Sequence, residues 1–133
     1  MHATINGERM LTELDYVRLS RFPAIELPTE LGELLATAEI VHMYDIPVDV
    51  VTMYSQVEVI DVHTLHKQSL TLCYPADAQP DSGRISVFSP VGCSLLGQKV
   101  GAVATWHTPG RDDVSVKVLS ISFQPEASGD YLM

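Results

Sequence analysis

Five histidines, two cysteines and seventeen acidic residues are the side chains of this 133-residue chain that could ligate a metal, attack a substrate or move a proton. His63 and His66 lie three residues apart, with His107 and Cys73 further on; His2 and His42 complete the histidines. Zinc needs three or four converging ligands oriented by surrounding hydrogen bonds. Positions three apart in a strand or turn face opposite sides, so this pair is a poor chelate. Surface histidines and no metal are the expectation. Cys73 and Cys93 make neither a CxxC pair nor a disulfide framework, and two buried free thiols are expected. Ser, His and Asp all occur, but without a GxSxG elbow. No P-loop or GxGxxG motif is present to cradle a phosphate. Gly92-Cys93-Ser94 falls in a helix with a packing role, while Gly97, Gly101 and Gly110 suit caps and turns. No catalytic residue and no cofactor are expected.

Two further sets of residues could act on a partner. Glu26 and Glu30 sit at the tip of an expected helical hairpin, with Glu13 and Asp15 at its base. They are either solvated helix ends or carboxylates offered to a metal or a basic channel. Phe22, Ile25 and Leu27 put three apolar side chains on a seven-residue tip. They either fold back between the helices or form a contact for a partner.

The elements that must position these residues follow from periodicity and caps. Thr12 can cap a helix running to about Phe22, and Asp15 stands where a capping box places its acid. Pro23 stops that helix. Pro28-Thr29-Glu30 starts a second, in which Leu31, Leu34, Leu35, Ala38 and Val41 form one apolar stripe that Pro47 ends. A short link makes the two an antiparallel αα-hairpin. Ten or eleven helical residues reach only about 15–17 Å. Beyond residue 47 the texture becomes strand-like, over 50–53, 56–62, 66–74, 84–88, 103–108 and 114–123. Residues 75–83 read as a surface loop, and Pro109-Gly110 with Arg111-Asp112 as a hairpin turn. Ser89 can cap, and Pro90 open, a short helix over 92–96 that Gly97 closes, with Val91, Leu95 and Leu96 facing inward. The sum is an α+β chain: residues 1–47 a short helical hairpin, residues 48–133 an antiparallel sheet domain with one short helix.

Composition bounds the partners. Seventeen acidic against eight basic residues give a net charge of −9. The mean field of such a chain repels phosphates, so general DNA or RNA binding is not expected, and a basic protein surface is the better match. Residues 1–47 carry eight acids and three bases, net −5, and residues 48–133 nine and five, net −4. Residues 1–6 have no basic start before an apolar run, so no signal peptide is expected. No apolar stretch approaches the roughly 20 residues that cross a bilayer. A cytoplasmic protein off the membrane is the expectation.

One stretch is specific. Ser86-Val87-Phe88-Ser89-Pro90-Val91-Gly92-Cys93-Ser94-Leu95-Leu96-Gly97-Gln98-Lys99-Val100-Gly101 resembles the SPxxxALxGxxxGD segment of Gre transcript-cleavage factors. Trp106-His107-Thr108-Pro109-Gly110 is similar to that family's hairpin. Residues 47–55, and the tail Gln124-Pro125-Glu126-Ala127-Ser128-Gly129-Asp130, resemble its Gre-like Rnk subgroup, the regulators of nucleoside diphosphate kinase. The likeness runs from Thr12 to Leu132.

The resemblance implies an FKBP-like C-terminal domain that docks on the rim of the RNA polymerase secondary channel. It implies polymerase contact through Ser86, Phe88, Ser89 and Pro90, and a hairpin tip of Phe22, Ile25, Glu26 and Leu27 directed at the channel. Three departures modify this. Gre factors commonly carry an acid or amide where this chain has Phe88. Ala102 follows Gly101 where the family usually has Asp. Glu26 and Glu30 are not in the Asp-x-x-Glu spacing of a cleavage tip. With a stub for an arm, the expected protein is a monomeric, non-enzymatic competitor at the channel mouth. Two other readings remain: action on nucleoside diphosphate kinase, direct or indirect, and an FKBP-like prolyl isomerase with Trp106 and Phe123 lining the prolyl pocket.

Overall fold

The computed structural model describes residues 9–110 and 112–129. His2, Arg111 and Asp130, all named above, lie outside them. In chain order the elements are β1 (Met10–Thr12), α1 (Glu13–Ser20), α2 (Thr29–Thr37), β2 (Glu39–Val41), β3 (Gln56–Asp61), β4 (Lys67–Cys73), β5 (Arg84–Ser86), α3 (Pro90–Leu95), β6 (Val103–Trp106) and β7 (Val114–Phe123).

Thr12 caps α1 as its position requires: its hydroxyl accepts from the Asp15 N–H at 3.1 Å. The second half of the expected capping box is absent. The Asp15 carboxylate turns inward and accepts from the Met53 N–H at 3.2 Å instead. In α2 the stripe holds at Leu31 and Leu34, both buried, but the helix ends at Thr37 and not near Pro47. Val41, expected on the stripe, belongs to β2. The β-branched pair Ile40-Val41 suits a strand, and β1 offers it a ladder.

That ladder ties the two ends of the helical segment together. β1 and β2 pair in parallel, Met10 with Glu39 and Thr12 with Val41. Parallel strands need a crossover connection, and α1 and α2 together make it. Leu19 and Leu31 are fully buried and Leu34 nearly so, in one apolar cluster with Val51, Met53, Leu95 and Leu96. The helices therefore spend their apolar faces on the sheet domain.

The main sheet has the order β5-β4-β3-β7-β6. It is antiparallel except at β4–β5, a parallel pair that the expectation of an all-antiparallel sheet missed. The physical reason is the connection of residues 74–83. It is built from two single 3-10 turns, Pro75–Asp77 and Pro80–Ser82, and is too long for a tight hairpin. Val57, Val59, Leu70, Leu72, Ala104, Val116 and Val118 supply the inner face, in one cluster with Leu95 of α3 and Leu96 just after it. Residues 50–53 are buried but form no strand. Ser55 Oγ accepts from the Thr52 N–H at 2.9 Å, and Tyr54 takes a left-handed φ of 66°. Only Val50 keeps a ladder contact, an isolated bridge to Lys99. Both cysteines are free and buried.

Candidate functional site

The turn that leaves β5 is held by its own serines. The Ser86 Oγ accepts from the Phe88 N–H at 3.0 Å. The Ser86 carbonyl accepts from the Ser89 N–H at 3.0 Å and the Ser89 hydroxyl at 2.7 Å. Ser89 Oγ in turn accepts from the Gly92 N–H at 3.1 Å, which caps α3. Val87 between them is fully buried and its N–H donates to the Cys73 carbonyl. Pro90, at the first helical position, has no N–H to satisfy and stands exposed. Ser86, Phe88, Ser89 and Pro90 thus share one rigid turn. Replacing Ser89 by Ala removes the cap and its tie to Ser86. We expect urea unfolding to show a loss of about 1–2 kcal/mol at unchanged m.

Phe88 is half-buried because Phe22 packs edge-on against it, ring centroids 5.0 Å apart. Leu27 is also half-buried, against the common core. Phe22 and Leu27 fold back onto the common core, Phe22 against Phe88. Ile25 is the exception at 94% exposed, and Glu26 beside it is exposed too. Glu13 and Glu30 are exposed acids, whereas Asp15 is buried and is no solvated helix end.

One support of α3 had no signal in the sequence, and a second tie uses the tail that the family resemblance singled out. The Arg9 Nη1 donates to the carbonyls of Cys93 at 2.8 Å, Leu96 at 3.1 Å and Ser94 at 3.3 Å, closing the far end of α3. Burial lowers the Arg9 pKa. A cation at a helix C-terminus satisfies the orphan carbonyls, but 84 residues separate it from Cys93. The second is a buried polar tie. Gln124 Nε2 donates to the carbonyls of Pro47 and Val50 at 2.8 and 2.7 Å. Glu126 accepts from the Thr52 hydroxyl at 2.8 Å, and Thr52 Oγ1 is 3.0 Å from Ser55 Oγ. Asp15 lies in the same region, and burial pushes its carboxyl up to about 6.

The remaining candidates stay apart. His63 and His66 are exposed around the β3–β4 turn, His107 pairs with Asp113 at 2.7 Å, and His42 stacks on Tyr44. Among the described residues, no three His, Cys, Asp or Glu side chains are grouped to hold a metal ion. Cys93 donates to the Val87 carbonyl at 3.0 Å, and burial raises its thiol to about 11, so it is not a nucleophile at neutral pH. Trp106 lines a cleft of about 470 Å³ with Arg9, Glu30 and Pro90. Phe123 lines another with Tyr54 and Arg84. The two aromatics offered for a prolyl pocket thus line different clefts among those of the described residues. No described helix is long and apolar enough to cross a membrane.

Residues 46–123 match the family model "Transcription elongation factor, GreA/GreB, C-term". A regulator of nucleoside diphosphate kinase from Escherichia coli is 35% identical over 112 residues, covering 84% of this chain and 82% of that one. A transcription elongation factor GreA from Solidesulfovibrio magneticus is 35% identical over 114 residues, covering 85% of this chain but 59% of its own length. Among solved structures, a prokaryotic transcription elongation factor GreA/GreB from Nitrosomonas europaea superposes with a TM-score of 0.68 at 33% identity, over 87% of this chain and 98% of that one. These names are those of elongation factors and a regulator.

Proposed function

The chain belongs to the GreA/GreB family of transcription elongation factors, alongside the regulator of nucleoside diphosphate kinase, and on that premise we propose that it binds RNA polymerase at the rim of the secondary channel and competes there with Gre-type factors without stimulating transcript cleavage. The observation that carries this reading is the burial of the two N-terminal helices. Cleavage by a Gre factor, as the family resemblance implies, needs an arm that carries acids far into the channel. Here α1 has eight residues and α2 nine, about 12–14 Å each. Leu19, Leu31 and Leu34 commit them to the core of the sheet domain. Their ends are tied by the β1–β2 ladder. A unit so anchored can cap the domain, and Glu26 at its exposed turn has no stalk to carry it inward.

The 86–90 turn supplies the dock. Pro90 is exposed and pre-set, Phe88 and Phe22 add a half-exposed apolar face, and the net charge of −9 favours a basic partner. Complementary charge raises the association rate and fixes register, while the apolar anchors carry affinity.

The test uses a stalled elongation complex and a cleavage-competent Gre factor. Added in excess, the chain is expected to suppress Gre-stimulated cleavage and to give none alone. Suppression should weaken steeply between low and high salt. Pro90→Ala should weaken it about tenfold with the fold intact. Cleavage stimulated by the chain itself, or no binding to core polymerase at low salt, would overturn the reading.

A further inference from the structure

We propose that the cleft between the end of α1 and the Tyr54–Tyr74 ring pair is a binding site for a nucleoside di- or triphosphate. The cleft is shallow and open, about 350 Å³, and among the described residues is lined by Arg18, Arg21, Phe22, Tyr54 and Tyr74. Each of these five side chains is cationic or aromatic. In a chain with two acids for each base, that lining is unusual, and it holds three of the nine aromatic residues. Guanidinium groups fit phosphate oxygens in a forked, charge-assisted geometry. Aromatic rings fit a nucleobase face without demanding its identity. Together the two chemistries select a ligand with an anionic end and a flat end.

The groups are placed to receive it. Arg21 is exposed and has no carboxylate within ion-pair distance among the described residues. Arg18, one turn back on the same helix face, stands beside the Tyr74 hydroxyl and the Asp15 carboxylate. That Tyr74 hydroxyl is buried without an acceptor for its proton among the described residues. Tyr54 is held in the left-handed region, φ 66°, by its N–H to the Leu72 carbonyl at 2.6 Å and its hydroxyl to Asp77 at 2.7 Å. A bulky residue keeps such a backbone only where its surroundings impose it, and such positions gather at ligand sites. The result is a fixed ring 5.7 Å from that of Tyr74. A helix C-terminus ordinarily repels an anion. Here the Arg18 and Leu19 carbonyls are already taken up by the Arg21 and Phe22 N–H groups, which blunts that end. The net charge of −9 disfavours a long nucleic acid, so the ligand is a mononucleotide.

The proposal shares Phe22 with the docking face but does not require polymerase, and its test uses the isolated full chain. NMR titration compares GDP and ADP with inorganic pyrophosphate and with guanosine. The nucleotides should move the amide signals of residues 18–22, 54 and 74 and bind at least about tenfold tighter than either half-ligand. Arg21→Ala should weaken nucleotide binding about tenfold at an unchanged thermal midpoint, and Arg21→Lys should recover part of the loss. Any of four results overturns it: no shifts at these residues in millimolar nucleotide, equal affinity in Arg21→Ala, pyrophosphate binding as tightly as GDP, or a single-stranded oligonucleotide binding more tightly than the mononucleotide.

Discussion

Alanine at Gly92 should lower the thermal midpoint by roughly 10 °C or more, a loss of about 3 kcal/mol. Propensity alone predicts the opposite sign, since Gly→Ala inside a helix is worth about 1 kcal/mol in favour of Ala. Space decides. Gly92 is buried in α3 against the strand-end backbone beneath it. A Cβ there would stand 2.8 Å from Val87 Cα and nearer still to the Ser86 carbonyl oxygen. Neither neighbour is the far end of a flexible side chain. Ser86 is the last residue of β5 and Val87 is fully buried, so the helix and not the strand must move. Moving α3 pulls the Gly92 N–H from its Ser89 cap and drags Leu95 and Leu96 out of the core. Because Ser89 and Pro90 ride on the same turn, polymerase binding should fall with stability. Gly32→Ala is the control: it lies in α2 with nothing near its would-be Cβ, and should be neutral or mildly stabilising. A Gly92→Ala variant as stable as Gly32→Ala would show that α3 is not seated as described.

The same two glycines show what was legible. Gly92 stands in a stretch where cap, proline and apolar positions all agree with one another, and α3 formed there within two residues of expectation. β7 was likewise readable to its ends, as a long alternating run with a turn before it. Local chemistry alone settles such elements. Where it ran out, the deciding partner was distant in sequence. Val41 reads as a helix residue until β1 supplies a parallel ladder. Residues 50–53 read as a strand until Thr52 and Ser55 close a turn on themselves. The parallel pairing of β1 and β2, which ties the ends of the helical segment together, has no local signature at all. The candidate site divides in the same way. Its serine-and-proline turn was visible, whereas Arg9 and the cleft lined by Tyr54 and Tyr74 emerge only from the fold.

Charge also changes meaning once placed. Counting acids predicts a surface that repels phosphate. Arg9 keeps its charge, but its Nη1 is spent on three carbonyls and does not stand open to a ligand. Arg21 does, and it sits where aromatic rings gather. One of the acids is also removed from the surface: Asp15 is 3% exposed.

That burial sets the second large effect, an anomalous pH dependence of stability. Desolvation raises the Asp15 carboxyl from 3.8 to about 6. The Met53 N–H and the Thr12 contact oppose the rise, nearby Glu126 adds to it, and Arg18 lowers it. The folded state therefore holds this proton more tightly than the unfolded chain does. By linkage the stabilisation is fully present below about pH 3.8 and is lost as pH rises through about 6. A gap of that size is about 3 kcal/mol, an upper figure for a group whose partners can relax. Acidic chains usually lose stability as carboxylates are protonated, so the whole protein will hide this contribution. The comparison with Asp15→Asn isolates it, because the amide is neutral at every pH and keeps an acceptor for the Met53 N–H. Chemical unfolding measured at half-unit steps from pH 4 to 7.5 should show wild type gaining about 2–3 kcal/mol on the variant toward the acid end. Most of the change should fall between pH 4 and 6.5. Parallel curves would mean that the carboxylate is ionised throughout, solvated or paired well enough to offset its burial, and the tie between α1 and the 52–55 turn would then have to be redrawn.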